Sequence, residues 1–254
     1  MNRLIPSLAL ALLGACAAPQ LTLQANYGPF TPEGKIQIDS VGSPATSENS
    51  AGDLGLDDDA STVGARFDLK FGSPHLTLST QASSWDGDGI LSADFGGISA
   101  STAVESELDL ALHRGVITFD MVPTDFVEFG LGLGVTVVDI EASVTDNLGV
   151  VTEEVDESLP VPLLAARLGG RFWLLDAEAL VAGLTADVDG DEATYLEIDV
   201  NAKLAFLGEH GGLSGSVVLG WRQIDLEVDY ADDTDDVHAD LTFDGPYFGL
   251  QLGL

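Results

Sequence analysis

Seven of this chain's few cations stand where they could act together: Arg66, Lys70, Arg114, Arg167, Arg171, Lys203 and Arg222. Each falls on the polar phase of an apolar/polar alternation, and that phase also carries Asp68, Asp120, Glu128, Glu197 and Asp199. Guanidinium and ammonium groups among carboxylates can do one of two things. They can hold one another as ion pairs in a space with little water, or they can line a polar passage or a subsite for an anionic solute. Other chemistry finds little footing. His75, His113, His210 and His238 lie at no metal-ligand spacing with one another or with Cys16, the one cysteine. No nucleophile elbow, phosphate loop or zinc motif occurs, so no cofactor is expected. His238 lies between Asp236 and Asp240, as an acid and base of a membrane hydrolase would, but no nucleophile completes that set.

The elements that position these residues read as strands of an unusual kind. In Phe126 to Glu141, Val127, Phe129, Leu131, Leu133, Val135 and Val137 share one face. At Asp139 and Glu141 that same face becomes acidic, while Val138, Ile140 and Ala142 turn the other face apolar. The inversion recurs from Leu213 to Tyr230, where Val217, Leu219 and Trp221 give way to Gln223, Asp225, Glu227 and Asp229. It recurs again between Asp240 and Leu254, and between Glu105 and Met121. A strand whose outward face changes solvent partway along needs this pattern. About 9–11 tilted residues cross an apolar band of ~25 Å, and the remainder stands in water.

The fold expected is therefore all-β: an antiparallel, up-and-down transmembrane β-barrel of about ten strands, with eight as the alternative. Nine strands are expected near 62–71, 75–85, 102–121, 126–143, 160–174, 178–188, 193–207, 213–230 and 238–254, with a weaker tenth at 35–41. Short turns at 72–74, 123–125, 175–177 and 208–212 alternate with longer acidic segments at 42–61, 86–101, 145–158, 187–192 and 229–237. That asymmetry places the short turns and both termini on the periplasmic side and the acidic loops outside. On each strand's phase the seven cations face inward, and Trp173 is expected to help fill the lumen. Two stretches, Asp86 to Gly89 and Asp187 to Glu192, resemble fragments of calcium loops without the full spacing, so divalent cations are possible partners at otherwise solvated acidic loops.

Composition narrows the partners. Nine Lys and Arg against 42 Asp and Glu give a net charge of −33, which excludes nucleic acid, since phosphate binding needs a basic face. Mean hydropathy is +0.22, too high for acidic disorder.

The first 15 residues read as a signal peptide: Asn2-Arg3, then the apolar run Leu4 to Leu13. The run ends in Leu13-Gly14-Ala15-Cys16, which resembles a bacterial lipobox and implies lipidation of Cys16; cleavage after Ala17 satisfies the same small-residue rule. Residues 16–34, with Pro19, Pro29 and Pro32, read as a periplasmic tether, and 35–254 as the barrel.

With its inverted strands, acidic outer segments and C-terminal Tyr247-Phe248-Gly249-Leu250-Gln251-Leu252-Gly253-Leu254, the chain resembles small bacterial outer-membrane barrels of the OmpW or OmpA-barrel kind. The resemblance implies a bacterial outer-membrane location, contact with outer-membrane lipid, and recognition of the C-terminal alternation by the barrel-assembly machinery. The function expected is non-enzymatic: a structural barrel, or one passing or binding a small solute, with an ion-paired lumen. A surface module binding a ligand or divalent cation is the alternative, and an outer-membrane hydrolase a more distant one.

Overall fold

The computed structural model describes residues 19–40, 48–122, 126–188, 191–210, 213–231 and 235–254. Cys16 and the expected signal segment lie outside these residues. The strands are β1 (Gln20–Ser40), the two-residue β2 (Asn49–Ser50), β3 (Ala60–Lys70), β4 (Pro74–Ile90), β5 (Ala103–Asp120) and β6 (Val127–Asp146). They continue as β7 (Thr152–Phe172), β8 (Leu175–Val188), β9 (Asp191–His210), β10 (Leu213–Ala231) and β11 (Asp235–Gly253). Neighbours in sequence pair antiparallel, and β11 pairs back with β1 at Leu252↔Leu23, closing a ten-stranded barrel in which β2 only extends the edge of β1. Ten strands settle the choice between ten and eight.

The first strand is the main departure from the sequence reading. Gln20 to Phe30, expected within the tether, pairs with β3 from Gln20↔Lys70 to Phe30↔Ala60. Its prolines disguised it. Pro29 faces outward where the β1–β11 ladder skips from Tyr27↔Phe248 to Thr31↔Asp244, so the missing N–H falls in a gap already free of ladder bonds.

Three of the acidic segments, 145–158, 187–192 and 229–237, are also mostly strand, not loop. Thr145↔Thr152 closes the β6–β7 hairpin, Val188↔Asp191 the β8–β9 hairpin, and Ala231↔Asp236 lies at the end of the β10–β11 ladder. The walls therefore rise well above the apolar belt. Outside, the belt is continuous: Leu133, Leu219, Leu250 and Leu23 are each more than half exposed. Side chains this apolar in water would forfeit the transfer free energy of burial, roughly 1.5–3 kcal/mol each, whereas hydrocarbon restores it. At the upper edge of the belt His113 meets the Thr80 hydroxyl through Nδ1 at 2.9 Å, one strand from Asp139. Its outward position thus marks the change of solvent.

One seam in the wall follows from two residues. On β7, Arg171 N–H donates to Phe126 O, on the β6 side. Alternation then aims the backbone groups of even-numbered residues at β8. Pro160 and Pro162 are even, offer β8 no N–H, and the β7–β8 ladder accordingly runs only from Phe172↔Leu175 to Leu164↔Gly183.

Candidate functional site

The interior has three levels. At the upper end, apolar side chains fill the barrel: Leu108, Val138, Ile224, Leu226, Leu241 and Phe243 are all buried. Trp85 packs on Phe243 with ring centroids 5.3 Å apart and donates Nε1–H to the Phe30 carbonyl at 3.1 Å. The segment after β2 folds into this mouth, burying Leu54 and Leu56. It can do so because the inward face of β4 is bare there. A Cβ on Gly87 would lie 1.9 Å from the Gly55 carbonyl oxygen, and one on Gly89 2.2 Å from that of Asp53. Gly55 itself has φ 75°, open to glycine at no steric cost. The buried Asn49 side chain ties this cap to the next loop. Its Oδ1 accepts from the N–H groups of Ser92 and Ala93, each at 3.0 Å.

Below the cap lies the charged level. Arg66 Nε donates to Asp68 Oδ1 at 3.0 Å, and its Nη2 donates to Glu178 Oε1 at 2.6 Å. Arg114 forms an ion pair with Glu197, whose other oxygen lies 3.3 Å from Arg222 Nε. Arg222 Nε donates to Asp199 Oδ2 at 3.2 Å, and its Nη1 donates to Gln81. Asp199 is fully buried and also accepts from the Tyr247 hydroxyl at 2.7 Å, while Tyr195 donates to Glu197 at 2.9 Å. Nearer the short turns, Arg167 reaches Asp120 and, at 3.1 Å, Glu128; Lys70 sits between the same two acids. Six cations (Arg66, Lys70, Arg114, Arg167, Lys203, Arg222) thus face six carboxylates (Asp68, Asp120, Glu128, Glu178, Glu197, Asp199). The interior is balanced in a chain whose net charge is −33. An unpaired charge in a low-dielectric interior is costly, and this acidic chain commits six of its nine Lys and Arg to achieve that balance.

These pairs cross the barrel. Arg66 and Glu178 stand on β3 and β8, Arg114 and Glu197 on β5 and β9, and Arg222 and Gln81 on β10 and β4, which are four or five strands apart around the ring.

The third level is a vestibule of about 420 Å³ at the short-turn end, walled by Asp68, Lys70, His75, Arg167, Glu178 and Lys203 among others. Arg171 belongs to its rim and not to the interior network. It lies beside the β7–β8 turn with its side chain 66 % exposed and donates from Nε to Asp176 at 2.8 Å. Trp173 is likewise no lumen filler. It occupies that two-residue turn, 87 % exposed, with φ 58°. Three participants escaped the sequence reading. Glu178 sits beside small residues in a strand whose lower end was placed too high. His75, at the start of an expected strand, was given no place in the network, yet it is buried with Nε2 3.2 Å from Asp68. Tyr247 was given no polar role, and its hydroxyl donates to Asp199 at 2.7 Å. Among the described residues no group of three or more His, Cys, Asp or Glu could hold a metal ion.

No family model matches the chain, and no curated protein matches it. Solved structures do. The outer membrane protease OmpT from Escherichia coli aligns over 92 % of this chain and 97 % of its own, at 11 % identity and a TM-score of 0.56. The translocator domain of the autotransporter NalP from Neisseria meningitidis aligns over 97 % and 92 %, at 14 % identity and a TM-score of 0.42. Neisserial surface protein A aligns over 92 % and 98 %, at 9 % identity and a TM-score of 0.36. The first likeness shows the barrel fold that this chain shares.

Proposed function

We propose that this chain is a non-enzymatic bacterial outer-membrane β-barrel that is closed to passage. It holds tall acidic walls outside the cell, with its short turns and both termini in the periplasm. The observation that carries the reading is the bracing of opposite walls by Arg66–Glu178 and Arg114–Glu197 beneath an apolar cap. A hydrated pathway would require both layers to separate, and the lower one would then expose several charges to an unpaired state at once. The apolar belt supports membrane residence, because the strands behind it close into one antiparallel sheet in which neighbouring backbones pair.

Topology is the test of this placement. Protease added to intact cells should cut within 91–102 or 147–151, outside the long walls, and spare 71–73. Cleavage at 71–73 in intact cells would invert the orientation. A protein recovered wholly in the soluble fraction would contradict membrane residence.

A further inference from the structure

The vestibule at the short-turn end carries donors that the ion-pair network leaves unserved. Lys203 is nine-tenths buried, and its Nζ lies 3.7 Å from Glu178 Oε2, its nearest carboxylate oxygen and beyond hydrogen-bond reach. Arg167 spends Nη1 and Nη2 on Glu128 and Asp120, while its buried Nε has no partner among the described residues. Each of these is a charged donor, and a buried charged donor without an acceptor is costly. The carboxylates around them are already committed. Asp68 accepts from Arg66, Thr77 and His75, and Glu178 from Arg66.

We propose that the vestibule is a binding site for a small oxyanion, the carboxylate or phosphate of a soluble solute that enters from the short-turn side. Lys203 and Lys70 are its principal ligands, with Arg167 in the wall beside them. The volume, about 420 Å³, lies within the range that small-molecule sites occupy. The charges around it are Lys70, Arg167, Arg171 and Lys203 against Asp68, Glu128, Asp176 and Glu178, with His75 beside them. These walls balance, in contrast to the acidic exterior, so an anion entering here meets donors without a net repulsive field. Access from one side alone rests on the closed-barrel reading.

The experiment titrates inorganic phosphate into the full refolded chain in a neutral glucoside detergent, followed by calorimetry and phosphorus NMR line width. Wild type should bind saturably with one site. Lys203→Met should weaken binding by about tenfold or more. Glu178→Gln, which removes the carboxylate that competes for Lys203 and Arg66, should tighten it. Lys70→Gln serves if Lys203→Met does not fold; its side chain is 23 % exposed and the change there is mild. Absence of saturable binding in the wild type overturns the proposal. So does an unchanged affinity in Lys203→Met, or in Lys70→Gln where that variant is used. Binding is read in detergent, where conduction plays no part, so a conducting barrel could still bind phosphate and a closed one could fail to.

Discussion

Arg66 on β3 and Glu178 on β8 stand five strands apart in either direction around the ten-stranded ring, yet Nη2 and Oε1 lie 2.6 Å from each other. A side-chain bridge from one wall to the opposite wall is the contact on which the proposed closed lumen rests. The pair is also shielded on both sides, with exposures of 1 % and 11 %, so water screens it little.

That pair gives the first prediction. Arg66→Ala leaves Asp68 and Glu178 without their common partner and should destabilise the folded barrel by roughly 3–5 kcal/mol. Arg66→Met with Glu178→Leu removes one of the two stranded carboxylates and should recover part of the loss, Asp68 still lacking its guanidinium. Glu105→Ala, on the exposed outer wall, should be nearly silent. Urea midpoints of the refolded protein measure all three. Equal midpoints for Arg66→Ala and Glu105→Ala would remove the brace from the account.

The cap gives the second. Gly87→Val would drive a side chain into the Gly55 carbonyl and should expel the segment that buries Leu54 and Leu56 while leaving the strands paired. The expected result is new protease cleavage between residues 50 and 59 with unchanged β-sheet circular dichroism. Resistance equal to wild type would mean that the cap is not held by that contact.

The third concerns pH. His238 lies above the belt on β11, and a hydrogen bond with Asp229 on β10 raises its pKa, with Glu48 and Glu227 adding to the effect. A histidine whose folded pKa is raised contributes stability fully below its unfolded value, about 6.5, and loses it as pH rises through the folded value. The thermal midpoint of wild type should therefore exceed that of His238→Gln at pH 5, with the difference fading under alkaline conditions. A difference that grows with pH would reverse the assignment.

Much of this architecture is legible in the residues, and the failures have physical causes. Polarity inversion in β6 and β10 locates the belt because lipid and water demand opposite side chains on the same face. The inward phase of Arg66, Arg114, Arg167 and Arg222 follows from the same alternation. Alternation carries no information at strand ends, however. Arg171 has the inward parity yet falls below the last layer, and Trp173 falls in the turn itself. β1 was hidden because Pro29 and Pro32 signal irregular chain unless one knows which neighbour each faces. Distances across the lumen are illegible too, since no local pattern says that β3 and β8 lie opposite. The apolar residues of Asp53 to Leu56 were a sign of the cap, obscured by the acids that follow.

The proline seam gives a fourth prediction. Pro162→Thr restores an N–H toward β8 and should extend the β7–β8 ladder beyond Leu164↔Gly183. Slower amide exchange around Leu184 and Thr185 is the expected observation. Exchange unchanged from wild type would mean that something other than the missing donor ends the ladder.

The closed lumen is tested most directly by single-channel recording of the refolded full chain in planar bilayers. The account predicts no steady conductance from wild type, and intermittent leak at most from Arg66→Ala, where the brace to Glu178 is gone. Steady, ion-selective conductance in the wild type would contradict it, and would make Arg66, Arg114 and Arg222 residues that line a pore.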